Sequence, residues 1–307
     1  MKKLTYLVSA IAAGLVSSAH ADISVSGSGS VAYQSSGSDN NLHNGGSVNF
    51  AMSTTAASGM TVSMAGNIEN TTTSGGPAGA VDGFDNLTFA TGGVTITVGH
   101  DIGLPDGVGE VGGLVSDLTA LNSNAITSTT GIYDDEGAGV SLSTSFGSAA
   151  VSLYYVADSS PTASGDIDGA ADTGSGIKLS TSFGDVAVTA GYAAYSDATR
   201  DDTESGVSAS YVTSAGTITA GYTASTGTYD GNSVGVKYAM DLDADTAIAF
   251  GYQDHQVGSN SGRATDVTLS RSLGGGVSVY AEMRSTSGDT GTSGNASTMS
   301  IGTSVAF

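Results

Sequence analysis

The sequence predicts an all-β protein, a transmembrane antiparallel up-and-down β-barrel of about sixteen strands. Three observations carry that prediction. Apolar and polar residues alternate with period two along almost the whole chain from Ile23 onward. The connections between the alternating segments are short and long by turns. The chain opens with an export signal, yet after Val16 no apolar stretch approaches the length of a membrane helix.

The export signal comes first. Lys2 and Lys3 precede a mostly apolar run from Leu4 to Val16, and Ala19-His20-Ala21 follows. A charged region, an apolar region and an A-x-A site read as a signal peptide over 1–21, with cleavage leaving a barrel domain over 22–307. The run is too short to anchor the chain as a spanning helix. The chain contains no cysteine, so an exported form has no disulfides and its stability rests on backbone pairing and burial.

The first strand, 23–34, sets Ile23, Val25, Val31 and Tyr33 on one parity against Ser24, Ser26, Ser28 and Ser30. Val48, Phe50 and Met52 mark 47–55, and Met60, Val62, Met64 and Ile68 mark 60–70 against Ser63, Asn67 and Glu69. Leu87 and Phe89 mark 83–90. Val94, Ile96 and Val98 mark 94–101, opposed by Thr95, Thr97 and Asp101. A hairpin motif then repeats. Gly139 to Gly147 leads into Val151 to Tyr155, and Gly176 to Gly184 leads into Val186 to Tyr192, which predicts strands at 138–146, 149–157, 176–183 and 186–195. Weaker copies supply 205–213, 217–226, 232–240, 246–254, 265–273 and 277–286. The last strand, 297–307, places Met299, Ile301, Val305 and Phe307 on one parity and small or polar residues on the other.

Short turns fall near Ala57, Gly92, Gly147, Gly184, Ala215, Asp243 and Gly275. Long connections are expected at 35–46, 71–82, 102–137, 158–175, 196–204, 255–264 and 287–296, with 227–231 the short member of that set. Both termini then lie on the turn side. Pro77, Pro105 and Pro161 all fall in long connections, where no ladder donor is lost.

Alternation alone suits a soluble sandwich as well as a barrel. Export, the turn asymmetry and the apolar C-terminus favour the barrel, which must close because lipid cannot satisfy an open sheet edge. Phe146, Phe183, Tyr192, Tyr195, Tyr211, Tyr222, Tyr252 and Phe307 lie near strand ends, as interfacial girdles require. Arg271 shares the outward parity of Val267, Leu269 and Leu273. It either snorkels past a nearby turn or is turned inward by a bulge.

The chain carries eight Lys and Arg against 29 Asp and Glu, a formal net charge of −21. That excludes a nucleic-acid binder, which needs a basic footprint. No basic residue occurs between Lys3 and Lys178. Gly107 to Gly112 matches G-x-G-x-x-G but lacks a surrounding βαβ unit. Asp166, Asp168 and Asp172 could gather around Ca²⁺, or simply solvate an acidic loop. No other cofactor is expected. His43, His100 and His255 have no metal spacing, and no nucleophile elbow or paired His-carboxylate motif appears, so an enzyme is not expected.

A final strand ending on Phe307 resembles the last strand of bacterial outer-membrane barrels, where it is the signal read by the barrel-assembly machinery. With the long connection Ile102 to Gly137 third among the long ones, the mature chain is similar to the trimeric general porins of Gram-negative bacteria, most closely those of alphaproteobacteria. The resemblance implies passive diffusion of small hydrophilic solutes and ions, a homotrimer, contact with outer-membrane lipid and lipopolysaccharide, and a third loop folded into the pore. It places Asp101, Asp106, Glu110 and Asp117 at the constriction, with Asp134, Asp135 and Glu136 at the loop's exit. The family's opposing basic wall is thin here: Lys178, Lys237 and Arg284 have inward parity, and Arg200 and Arg263 lie in loops. The acidic excess predicts cation selectivity. The competing expectation is a surface adhesin or fibre-forming β-repeat protein, since Gly/Ser/Thr-rich repeats also suit β-solenoids.

Overall fold

The computed structural model describes residues 21–36, 39–73, 76–82, 84, 86–105, 108–109, 136–157, 173–196, 201–227, 230–258, 260–288 and 296–307. Among these residues lie seventeen strands: β1 (Ala21–Ser36), β2 (Asp39–Thr55), β3 (Thr61–Thr73), β4 (Gly76–Asp82), β5 (Asn86–Thr91), β6 (Val94–Gly103), β7 (Glu136–Phe146), β8 (Ala149–Ala157), β9 (Thr173–Phe183), β10 (Val186–Ser196), β11 (Asp201–Thr213), β12 (Gly216–Thr226), β13 (Gly231–Asp241), β14 (Thr246–Val257), β15 (Asn260–Gly274), β16 (Val277–Gly288) and β17 (Ala296–Ala306). β4 pairs with the loop-side half of β3 and β5 with its turn-side end, so the two share one place in the wall and the barrel has sixteen staves. All pairings are antiparallel, and β1 pairs with both β2 and β17. The ladder therefore closes on itself, which a solenoid or fibre repeat does not do; the fibre-forming β-repeat expectation is overturned.

Closure is sealed at the chain's end. The Gly27 amide donates to the Phe307 carbonyl at 2.9 Å and the Phe307 amide donates to the Gly27 carbonyl at 3.0 Å. The Phe307 ring lies over Gly27, where a Cβ would stand 2.6 Å from the ring edge.

The apolar parity faces outward throughout: Ile23, Val25, Leu153, Ile177, Leu179, Val236, Leu269 and Ile301 are all exposed. Tyr155, Tyr192, Tyr222 and Tyr252 stand at equal distance from their turns on β8, β10, β12 and β14. Phe146, Phe183 and Tyr211 mark the turn-side edge. Val186 to Tyr192 spans about 20 Å along the strand, the order of a barrel's apolar band. Tyr195 departs from this girdle. It has inward parity on β10 and is buried inside the barrel.

Several expected long connections are strand instead. Ser36 pairs with Asp39, β4 fills 76–82, β11 begins at Asp201, and Val257 pairs with Asn260. The reason is that backbone pairing does not require apolar side chains. Alternation marks the lipid band, whereas the ladder runs past it through Ser, Thr, Asn and Gly. Consecutive strands remain far apart in sequence at 102–137, 158–175 and 287–296.

The turns follow their residues. Gly92 and Gly93 both have positive φ, 55° and 81°, as a two-residue type I′ turn requires. Arg271 is also settled. It keeps outward parity opposite Thr246, and the bulge falls just beyond it, between Ser272 and Gly274. Its Nη1 donates to Thr246 Oγ1 at 2.8 Å and lies 3.5 Å from Asp243 Oδ2, so the head sits on the turn and only the stem covers the wall. The Asp243 carboxylate also accepts from the Asp245 amide at 2.9 Å and the Thr246 hydroxyl at 3.1 Å. The backbone bond from Asp245, then the Thr246 hydroxyl and the Arg271 charge, hold the Asp243 carboxyl below its ordinary value. A depressed folded value contributes stability above the unfolded pKa of about 4 and loses it as pH falls through the folded one. Wild type should therefore unfold at higher temperature than Asp243→Asn at neutral pH, with the gap closing in acid. Melting curves across pH check this.

Candidate pore and constriction

The long third connection turns inward at its root. Val94, Ile96 and Val98 face out, but the register of β6 against β7 shifts between Gly99 and Ile102. After that bulge Ile102 points into the barrel and is buried. Ile102 and Leu104 join Val156, Ala193 and Tyr195 in a small apolar cluster on the inner wall, with Tyr154 packed beside it. This cluster is the only interior core of its kind among the described residues. It exists because an apolar loop root must be buried where the wall is otherwise wet.

From there the chain crosses the inner wall strand by strand. Ile102 reaches Gly139 on β7, Pro105 lies over Gly176 on β9, Val108 lies over Gly191 on β10 and Gly206 on β11, and Gly109 reaches Thr223 on β12. Gly191 and Gly206 are direct register partners. Val108 is only 5% exposed.

A second feature occupies the wall of β13 to β17. Lys237 pairs with Gly251, Gly251 with Asp266, Asp266 with Arg284, and Arg284 with Thr298, forming one row across the staves. Glu282 stands one inward position nearer the turns, opposite Thr268 and Ser300. Thr268 donates to Asp266 at 3.4 Å. Asp266, Glu282 and Arg284 are 3%, 4% and 7% exposed, and Lys237 is half-buried. Two acidic and two basic side chains thus share one patch of the inner wall. Beside them Gln253 donates through Nε2 to the Ser233 hydroxyl.

Toward the turns the lining is hydroxylic. Thr88 and Thr97, Ser143 and Ser152, Ser180 and Thr189, and Ser210 and Thr219 pair across successive turn hairpins at 3.0, 2.7, 3.3 and 2.9 Å. On β1 to β6 a recess of about 520 Å³ is lined by inward Ser24, Ser26, Asn49, Ser63, Asn67 and Thr97, among others. An interior of this kind holds water and polar solutes rather than a packed core.

The structure brings together Lys237 and Arg284 and adds Asp266 and Glu282, which sequence reasoning passed over although both have inward parity. Lys178 stands apart, paired with Gly191 beneath the loop root. Asp101 lies in the β6 bulge, so the alternation that assigned it inward parity does not extend to it. Asp106, Glu110 and Asp117 lie outside the described residues, as do Asp134, Asp135, Arg200 and the Ca²⁺ candidates Asp166, Asp168 and Asp172. Arg263 belongs to β15 rather than a loop and pairs with Asp254 at 3.1 Å. The small outward residues Gly27, Gly29 and Thr303 divide. Gly27 is covered by Phe307. Gly29 and Thr303 border an outer recess of about 400 Å³ with Val31, Asn44, Gly45 and Val305.

Comparison with known proteins agrees with this architecture. No curated protein matches the sequence. Among solved structures, the chain is similar to a mutant of Rh. blastica porin, with TM-score 0.70, 16% identity, and 93% of this chain and 100% of that one covered. It is similar to the trimer form of OmpT, an outer membrane protein of Vibrio cholerae, with TM-score 0.69, 14% identity, and coverage of 94% and 99%. It is also similar to an anion-selective porin from Comamonas acidovorans, with TM-score 0.68, 12% identity, and coverage of 94% and 100%. At such identities these likenesses show the fold. A family model described as Gram-negative porin matches residues 8–291. The chain belongs to the Gram-negative porin family, and its place is the bacterial outer membrane.

Proposed function

We propose that the barrel is a passive, cation-selective diffusion channel for small hydrophilic solutes and ions, working as a homotrimer of mature chains that begin at Asp22. The observation that carries the channel reading is the third connection entering the lumen at Ile102 and crossing the wall to Gly109, which narrows an otherwise wide, hydroxyl-lined interior. No step of this function needs a nucleophile or a bound cofactor.

The sign of selectivity rests on charge. The wall patch holds as many acidic as basic groups, the chain as a whole carries −21, and Asp101, Asp106, Glu110 and Asp117 fall on or beside the inserted connection. Screening over about 8–10 Å lets charges at the narrowest point dominate. The fold does not decide the sign, since the Comamonas porin of the same architecture is anion-selective. Reversal potentials across a salt gradient in planar bilayers should show cation preference, reduced when the four acids become Asn or Gln. Anion preference in wild type overturns the charge argument.

The trimer draws on the trimer form of the similar OmpT structure and on the outer recess around Gly29, Gly45 and Thr303, where small residues let a neighbouring barrel approach. The mass of the detergent-extracted complex should equal three chains. A monomer in every mild detergent counts against it.

A further inference from the structure

We infer that Gly176, Gly191 and Gly206 form a track on the inner wall that seats the root of the third connection and thereby sets the width of the channel. The inference rests on the channel reading above and names the residues that hold its constriction in place. Glycine in a strand interior weakens the strand unless another backbone must come close. Here one does, at three positions of inward parity on the neighbouring strands β9, β10 and β11. A Cβ on Gly176 would collide with the Pro105 ring, and one on Gly206 with the Val108 carbonyl. A Cβ on Gly191 would stand 3.0 Å from Val108 Cβ, Cγ1 and Cγ2. The loop root is held from its other end by Leu104, buried in the apolar cluster with Val156 and Tyr195. With the root pinned there, a methyl group on the track lifts Pro105, Val108 and Gly109 off the wall toward the pore axis.

The track makes predictions that differ between its members. At Gly191 the obstacle is a side chain, and at Gly206 it is backbone. Gly191→Ala should lower single-channel conductance, and adding Val108→Gly should restore it. Gly206→Ala should lower conductance by about twofold or more, and Val108→Gly should not restore it. Conductance at or above the wild-type level in both single variants, or failure of Val108→Gly to rescue Gly191→Ala, overturns the track.

A second measurement does not depend on conduction or on Gly206→Ala folding. The chain has no cysteine, so Val108→Cys with Gly191→Cys introduces a single possible bridge. The two Cβ positions lie within about 1 Å of disulfide spacing. Oxidation of the assembled barrel should form that bridge, seen as a mobility shift on gels. A barrel that assembles and does not cross-link overturns the seat. Cross-linking in a barrel that passes no ions would instead retain the seat and reject the channel reading.

Discussion

Deleting Phe307 is expected to cut the amount of assembled barrel in the outer membrane several-fold, whereas Phe307→Ala removes the ring and keeps the ladder. The deletion takes away the last pair of bonds between the ends of the wall, Gly27 amide to Phe307 carbonyl and back. It leaves Gly27 facing lipid with both backbone groups open, each costing several kcal/mol there. The Phe307 ring is 78% exposed and rests on Gly27, so it adds little burial of its own. If the barrel-assembly machinery reads the ring, as the resemblance to outer-membrane barrels implies, Phe307→Ala should lose yield in cells and refold normally in detergent. The deletion should fail in both settings. Quantifying folded protein in membranes and in detergent separates the two roles, and unchanged membrane yield for both variants refutes a role in assembly.

Arg284→Met should be the most damaging substitution on the pore wall. Removing the guanidinium leaves Asp266 and Glu282 adjacent and buried, with Lys237 across Gly251 as the nearest remaining cation of the row. Breaking a buried ion pair by deleting one partner costs about 3–5 kcal/mol. The variant should melt at lower temperature than wild type and, wherever its carboxylates remain ionised, prefer cations more strongly. Combining Arg284→Met with Asp266→Asn and Glu282→Gln removes the uncompensated charge and should recover much of the stability. Melting temperatures and reversal potentials of the single and triple variants check this. A triple variant no more stable than the single one would show that the loss comes from packing of the Arg284 stem rather than from charge.

The order of the strands, the side each shows to lipid and the closing role of the last one were legible because they follow from a rule local to each strand. Side chains alternate, and in a membrane only one parity can be apolar. The same rule reached Lys237 and Arg284 and would have reached Asp266 and Glu282, whose inward parity is as clear. It misplaced strand ends, since Ser, Asn and Gly carry no alternation yet pair as readily, and so residues such as Asn44 and Gln256 looked like loop.

What no local rule contains is which strands meet at one height and what lies across the lumen. Lys237, Asp266 and Arg284 are separated in sequence and become neighbours only through register, a property of the closed ladder as a whole. Tyr195 belongs to an interior cluster rather than to a girdle, because the root of the third connection lands beside it. Gly191, Gly206 and Gly27 are indistinguishable in sequence from the many other glycines of this chain. Their roles come from a backbone or a ring arriving from a distant segment, and that approach is decided only when the barrel has closed and its third connection has folded against the wall.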